Sequence, residues 1–277
     1  MKRAPGFQRK SIQCPRCHQL ISLNSDVCIN CGLARPGLYT SIPVLGELLS
    51  GELSFVNGIT LACFSLYVLA LTLDVTSIRI TGSPFAVLSP SSEALYRLGM
   101  GGLIPWQEGR WWSFITATYL HGGILHIAFN MLWLRRIGAL VEELFGASRF
   151  WIIYTLSGLF GALVSFWSGT LLFVGASGSI FGLLGALIYY GRSRGGVFGS
   201  SIFRQMAIWA AIGFVFGLMM PGVDNWGHIG GFAAGILLAW ILQYNDKARQ
   251  SFVQHILACA ILVGVMICFG FMFVLFF

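Results

Sequence analysis

Charged side chains are scarce in this sequence, and their scarcity excludes an ordinary soluble protein. Of the 277 residues, 10% are charged and 56% are hydrophobic, and the mean hydropathy is +0.78. A soluble domain carries about a quarter charged residues. The composition is instead typical of an all-α protein that crosses a membrane several times. Residues 1–40 also lack an apolar run, so we expect no signal peptide there.

Apolar segments near the length needed to cross a hydrocarbon core of about 30 Å occur seven times. They predict membrane-spanning helices over residues 57–75, 114–134, 150–167, 177–190, 202–220, 226–244 and 252–275. The segment 76–113 is more polar and is interrupted by Pro84, Pro90 and Pro105. We therefore expect it to form a long loop between the first two spans.

The net charge of +7 is concentrated at the ends of the predicted spans. If the N-terminus is cytoplasmic, 14 of the 17 Lys and Arg residues lie on the inner side, and only Arg79, Arg97 and Arg110 lie outside. Because Lys and Arg are enriched in cytoplasmic loops, we expect a cytoplasmic N-terminus and an external C-terminus in a plasma (inner) membrane. This placement favours contact with anionic lipid, and we expect no binding of nucleic acid.

Four of the seven cysteines form two CxxC motifs in the polar N-terminal region: Cys14 with Cys17, and Cys28 with Cys31. Each motif can offer two thiolates to one metal ion, and four thiolates complete a tetrahedral zinc site. Disulfides would need an oxidising compartment, which the predicted cytoplasmic location does not provide. We therefore predict a zinc-ribbon-like module over residues 1–36 with one structural zinc ion, an unknown partner, and a linker over residues 37–56.

The fourth predicted span opens with Gly175-Ala176-Ser177-Gly178 and contains only 14 residues, which rise about 21 Å as a helix. We expect this helix to begin below the outer membrane surface. Residues 168–176 would then enter the bilayer as irregular backbone, which is tolerated only inside protein or beside a water-filled cavity. Ser177 is predicted at a helix N-terminus. From this motif alone, close packing of small residues is an equally good interpretation.

The sixth predicted span carries His228 near its outer end, at the same depth as Ser177. Glycines line one face of each of these two spans: Gly178, Gly182 and Gly185 on the fourth, and Gly227, Gly231 and Gly235 on the sixth. Two such faces can pack backbone to backbone, which would bring the hydroxyl group and the imidazole within hydrogen-bonding distance. Imidazole is the usual base that activates a serine nucleophile.

The second predicted span contains His121, His126 and Asn130. His126 and Asn130 are four residues apart, so they share one helix face and can donate hydrogen bonds toward one spot. Acyl transfer needs such donors for the developing oxyanion. A hydrogen-bonded pair that ties helices together is the structural alternative.

With these motifs in place, the sequence resembles the rhomboid family of intramembrane serine proteases. The matching pieces are His121, His126 and Asn130 within residues 119–133, and the stretches 138–146, 175–178 and 225–228 followed by Gly231. The resemblance covers about 190 residues. It implies a six-helix catalytic core over residues 57–246, with an additional C-terminal transmembrane helix over residues 247–277.

The resemblance also implies a role for each matching residue. Ser177 would be the nucleophile and His228 the general base, with no third acid and no cofactor for catalysis. His126, Asn130 and the backbone N–H of Ser177 would bind the oxyanion. The supporting residues would be His121, Glu142, which in the family anchors the loop after the second span, and Phe181, which replaces a Tyr that stacks on the catalytic His in some members.

Similar proteins cut transmembrane segments of other membrane proteins near the membrane surface. One departure is in the first loop, where the family often has Trp-Arg and this sequence has Trp112-Ser113, with Arg110 two residues earlier. Two alternatives stay open. One is a catalytically inactive rhomboid-like protein that binds or escorts membrane clients. The other is a transporter with a helix broken at residues 175–178, which would require inverted repeats that the sequence does not display.

Overall fold

The computed structural model describes residues 11–14, 19–23, 25–30, 32, 54–77, 87–242 and 251–276. The chain divides into two compact units, residues 1–54 and residues 55–277. In the first unit, strands β1 (Ser11–Gln13) and β2 (Leu20–Ser22) pair antiparallel, with Ile12 opposite Ile21. Cys14 and Cys28 are buried in one small cluster with Ile21. Cys17 and Cys31, the other predicted zinc ligands, lie outside the described residues.

The second unit is built from helices. The longer elements are α1 (Phe55–Leu73), α5 (Ile124–Trp133), α6 (Ala139–Phe145), α7 (Ala147–Trp167), α8 (Ser177–Arg194), α9 (Gly196–Met219), α10 (Asn225–Leu242) and α11 (Phe252–Phe276). A π-helical turn, Leu134–Gly138, joins α5 to α6. Between α1 and α5 lie the short helices α2 (Ser92–Arg97), α3 (Leu103–Gln107) and α4 (Ser113–Thr116).

Within the described residues, six helices are long and apolar enough to cross a membrane: Phe55–Leu73, Ile124–Phe145, Ala147–Trp167, Gly196–Met219, Asn225–Leu242 and Phe252–Leu275. The prediction of an all-α, multi-pass membrane protein is therefore confirmed. Helix α8 is not one of the six, because it begins with small polar residues and ends with Arg192 and Arg194.

The predicted second span, residues 114–134, is wrong at both ends. Residues 113–119 form α4 and a 3₁₀ turn, and Gly122 and Gly123 separate them from α5. The helix then continues past Arg135 and Arg136, whose side chains are exposed, and ends only at Gly146, which has a φ of 84°. Exposed guanidinium groups do not terminate a helix, because the long Arg side chain can carry its charge into water.

The prediction for the fourth span is correct at its start and wrong at its end. Helix α8 begins at Ser177 but runs for 18 residues, about 27 Å, so it is longer than predicted. Residues 169–176 before it are non-helical, as predicted. Their backbone bonds to that of the first loop: Gly101 and Phe173 exchange N–H···O bonds of 3.1 and 2.8 Å, and the Leu103 N–H donates to the Thr170 carbonyl at 3.0 Å.

Helix α8 packs against α7, α9 and α10. Its contact with α10 depends on glycine, as the two predicted glycine faces require. A Cβ atom on Gly231 would overlap the carbonyl oxygen of Gly178, and one on Gly235 would overlap the carbonyl oxygen of Gly182. The prediction of backbone-to-backbone packing between these helices is confirmed.

The C-terminal helix α11 packs against α7 and α4 through side chains. The Phe271 ring stacks on Trp112, with ring centroids 5.8 Å apart and planes at 16°. At the other end of the helix, Arg149 Nε donates to Gln254 Oε1 at 3.1 Å. In the first loop, the Arg110 guanidinium group lies 4.6 Å from the centre of the Tyr96 ring.

Candidate active site

The predicted nucleophile and base lie within hydrogen-bonding distance. Ser177 is the first residue of α8, and His228 lies in the first turn of α10. Ser177 Oγ is 2.9 Å from His228 Nε2. The glycine contacts between α8 and α10 make this distance possible, because any side chain at Gly231 would separate the two helices.

The His228 ring is held by aromatic contacts. Phe181, one helical turn after Ser177, stacks on it with centroids 4.3 Å apart and planes at 17°, so the predicted stack is confirmed. Gly213 of α9 leaves room for the Phe181 ring, since a Cβ atom on Gly213 would come within 2.8 Å of that ring. Within the described part of the chain, His228 Nδ1 is buried and has no hydrogen-bond partner. The orientation of the imidazole therefore does not depend on a described third acid.

His126 faces the backbone just before Ser177. The N–H of Gly122 points at His126 Nδ1 at 3.3 Å, so the proton of the neutral ring is on Nε2. A Cβ atom on Gly175 would lie 2.8 Å from His126 Nε2 and 3.7 Å from Ser177 Oγ. His126 Nε2 thus lies close to the backbone next to Ser177, and the assignment of His126 to the oxyanion site stays a prediction.

Asn130 lies on the same helix as His126, in α5, and its side chain is buried. Its Nδ2 donates to the backbone carbonyl of His126 at 2.8 Å. In this structure one N–H of the amide therefore bonds to its own helix. The amide nitrogen carries a second N–H that this bond does not use, and the oxyanion role of Asn130 also stays a prediction.

His121 lies in the non-helical residues before α5, and its predicted place inside a span is wrong. Its buried ring meets the His126 ring edge to face, with centroids 5.1 Å apart, so it can fix the position of His126. Glu142 of α6 accepts a hydrogen bond from the Phe55 N–H at 2.9 Å. The carboxylate thereby caps the N-terminus of α1, and its role in the loop after the second span stays a prediction.

A small cavity of about 30 Å³ adjoins the Ser–His pair, large enough for a water molecule. Ser177, His228, Thr118, Ser165 and Asp224 supply its polar side chains. Sequence reasoning missed Ser165 and Asp224 as part of this site. An Asp just before a predicted helix was the available signal, because Asp is a favoured N-cap residue. Among the described residues, no three His, Cys, Asp or Glu side chains are grouped closely enough to hold a metal ion.

Comparison with known proteins identifies the family. Residues 108–245 match the family model of the rhomboid domain. The chain is 36% identical over 162 residues to "Rhomboid protease GluP" of Bacillus subtilis, which covers 58% of this chain and 32% of that protein. It is 33% identical over 192 residues to "RHOMBOID-like protein 6, mitochondrial" of Arabidopsis thaliana, which covers 61% of each. It is 34% identical over 147 residues to "Rhomboid-type serine protease 2" of Emericella nidulans, which covers 51% of this chain and 29% of that protein.

The chain thus spans from under a third to about three fifths of the length of these relatives. The matched domain contains Ser177, His228, His126 and Asn130, and it extends from the residue after α3 to just past the end of α10. Two of the three relatives are named as proteases. The chain belongs to the rhomboid family.

Proposed function

We propose that this protein is an intramembrane serine endopeptidase that cleaves transmembrane segments of other membrane proteins near the outer membrane surface. The observation that carries the proposal is the 2.9 Å distance between Ser177 Oγ and His228 Nε2. A hydroxyl group becomes an effective nucleophile when an adjacent base accepts its proton. One relative named as a protease and another named as a serine protease support the same reaction class.

In this mechanism His228 Nε2 takes the Ser177 proton as Oγ attacks the scissile carbonyl. The carbonyl oxygen becomes an oxyanion, which the Ser177 N–H at the start of α8 and the His126 Nε2–H would stabilise. His228 then donates its proton to the leaving amine, and an acyl-enzyme on Ser177 is left. Water activated by His228 hydrolyses that ester and returns the pair to its starting state.

The orientation in the membrane is part of the proposal. The distribution of Lys and Arg supports a cytoplasmic N-terminus and a start of α8 that faces the outer side. Helix α8, at about 27 Å, then crosses inside the bundle, and the C-terminus is external. Thr170→Cys should react with an impermeant thiol reagent in intact cells, and Ser200→Cys should react only after permeabilisation. The reverse pattern would overturn this orientation.

Cleavage of a reconstituted transmembrane substrate tests the activity. Ser177→Ala and His228→Ala should each abolish cleavage while the protein stays folded. His255→Ala is the matched control, since His255 is an exposed histidine on α11 and should leave cleavage unchanged. If the wild-type protein binds such substrates but cuts none, the inactive rhomboid-like alternative is correct. More than a few per cent of activity in Ser177→Ala would overturn the nucleophile assignment.

We also propose that the N-terminal unit holds one structural zinc ion through Cys14, Cys17, Cys28 and Cys31. One cysteine of each CxxC motif, Cys14 and Cys28, is buried in the same cluster, which supports the proposal. A module this small has little apolar core, so the metal would supply its folding energy. Metal analysis should find about one zinc per chain, lost in a Cys14→Ser/Cys28→Ser variant and retained in Cys259→Ser. A zinc-free wild-type protein would refute the site.

A further inference from the structure

Asp224 is a carboxylate beside the Ser–His pair that the proposed mechanism does not use. It lines the same small cavity as Ser177 and His228, immediately before α10. Its Oδ1 accepts a hydrogen bond from the Gly227 N–H at 3.1 Å, and its backbone carbonyl accepts one from the His228 N–H at 3.3 Å. Asp224 therefore caps the helix turn that carries the base.

The second carboxylate oxygen reaches a different helix. Ser165 Oγ of α7 donates a hydrogen bond to Asp224 Oδ2. One turn earlier on α7, a Cβ atom on Gly161 would lie 2.6 Å from the Gly227 carbonyl oxygen, so the two backbones are nearly in contact there. The backbones of α7 and α10 are thus in close contact at Gly161 and Gly227, and the hydrogen bond between Ser165 and Asp224 lies beside this contact. Because a hydrogen bond is directional, it restricts sliding and rotation of α10 against α7.

The catalytic imidazole depends on such a link for its position. In the described part of the chain its Nδ1 has no hydrogen-bond partner, so no acid orients it directly. Stacking on Phe181 fixes the plane of the His228 ring. The backbone of α10 fixes the position of the Cα atom from which the side chain extends. Asp224 lies four residues before His228, on the same side of the first helical turn. A shift of this turn moves Nε2 relative to Ser177 Oγ.

We propose that Asp224 is a positioning residue, which links α10 to α7 through Ser165 and so holds His228 within hydrogen-bonding distance of Ser177. The inference rests on the proposed protease function. It assigns the effect to geometry and not to the negative charge of the carboxylate. An asparagine can reproduce the geometry, since its oxygen accepts from the Gly227 N–H and its amide donates to Ser165 Oγ. In the Asp224→Asn variant the Ser165 hydroxyl group donates to the Gly161 carbonyl oxygen, which already lies 3.0 Å from Ser165 Oγ.

The test measures kcat, KM and the rate of covalent labelling by a fluorophosphonate probe in full-length Asp224→Ala, Asp224→Asn and Ser165→Ala variants. Asp224→Ala should lower kcat and the labelling rate together by about 10- to 100-fold, with KM within about twofold, because small displacements of reacting groups have effects of that size. Asp224→Asn should retain at least about a third of the wild-type kcat. Ser168→Ala is the control, because Ser168 is the C-cap residue of the same helix and its hydroxyl group donates to the Ser165 carbonyl and not to Asp224.

Ser165→Ala should also slow labelling, and the double variant should be no worse than Asp224→Ala alone, because both changes remove one interaction. Labelling and kcat within twofold of wild type in Asp224→Ala, with only a lower melting temperature, would overturn the positioning role. Equal damage in Asp224→Asn and Asp224→Ala would show that charge acts and not geometry. If the wild-type chain neither cleaves a substrate nor reacts with the probe, the proposed function itself fails. In that case the hydrogen bond between Ser165 and Asp224 can still be tested, because the losses in unfolding free energy of Asp224→Ala and Ser165→Ala should not add in the double variant.

Discussion

Helices α10 and α11 are both long and apolar, yet they join the bundle in opposite ways. Helix α10 meets α8 at backbone distance, and no side chain larger than hydrogen fits at Gly231 or Gly235. Helix α11 meets its neighbours through large side chains, such as Phe271 on Trp112, and its own glycines, Gly264 and Gly270, have open space around them.

The two kinds of contact have different consequences: the α8–α10 contact sets a distance between two residues, whereas the α11 contacts only attach a helix to the bundle. Backbone atoms move little, so a contact made by backbone fixes the distance between Ser177 and His228. Contacts made by rotatable side chains hold α11 in place but tolerate repacking. The distance between Ser177 and His228 should therefore be sensitive to one methyl group at the α8–α10 contact and insensitive to larger changes on α11.

The largest effect should come from Gly231→Ala. Its Cβ atom would overlap the Gly178 carbonyl oxygen, and overpacking of a core costs about 1–3 kcal/mol or more. Two backbones cannot repack, so we expect loss of cleavage and a clearly lower melting temperature. Gly264→Ala on α11 is the matched control and should be neutral or slightly stabilising, because alanine is preferred to glycine inside a helix. Equal losses of cleavage and of melting temperature in Gly231→Ala and Gly264→Ala would contradict the difference between the α8–α10 contact and the contacts of α11.

Asn130→Ala should have the next largest effect. If Asn130 donates to the oxyanion, kcat should fall about 10²- to 10³-fold with little change in KM, because the charge exists only in the transition state. Some activity should survive, since the Ser177 N–H and His126 remain. The hydrogen bond from Asn130 to the His126 carbonyl offers a purely structural role. A destabilised variant with normal kcat would therefore remove Asn130 from the oxyanion site.

Phe181→Leu should have an intermediate effect. It removes the ring that stacks on His228, a contact worth about 0.5–1.5 kcal/mol, so kcat should fall a few-fold to about tenfold. Phe214→Leu is the control, because Phe214 meets His228 only at its edge, with centroids 6.5 Å apart. The kcat of Phe181→Leu should be well below that of Phe214→Leu, and the opposite order would contradict a role for the stacking of Phe181 on His228.

Phe271→Leu should have the smallest effect. It removes the stack on Trp112 but leaves the α8–α10 contact intact. We expect a fall of a few degrees in melting temperature, measured by thermal unfolding in detergent, and kcat within about twofold of wild type. A loss of cleavage as large as that of Gly231→Ala would show that α11 also sets the active-site geometry.

The sequence allowed prediction of the parts of this site that follow from local pattern. Glycines every third or fourth residue indicated the α8–α10 contact, and the Gly-Ala-Ser-Gly motif located the start of α8 at Ser177. Stacking of Phe181 on the imidazole followed from family resemblance and is confirmed by the structure.

Other features depend on contacts that pattern does not encode. The second span was misplaced at both ends, because its helix begins only at Ile124 and continues through the exposed Arg135 and Arg136 to Phe145. The link from Ser165 to Asp224 joins residues 59 positions apart, and neither helix alone indicates it. The hydrogen bond of Asn130 to its own helix was also not foreseen, since helix-face arguments give the side of a side chain and not its partner.

Identifying the residue modified by a fluorophosphonate probe tests the central claim most directly. Mass spectrometry of the labelled wild-type protein should find the adduct on Ser177, because His228 Nε2 lies 2.9 Å from its hydroxyl oxygen. His228→Ala should abolish labelling, and Ser179→Ala, two residues along the same helix, should not change it. An adduct on another residue, or undiminished labelling in His228→Ala, would contradict the assignment of Ser177 and His228 as nucleophile and base.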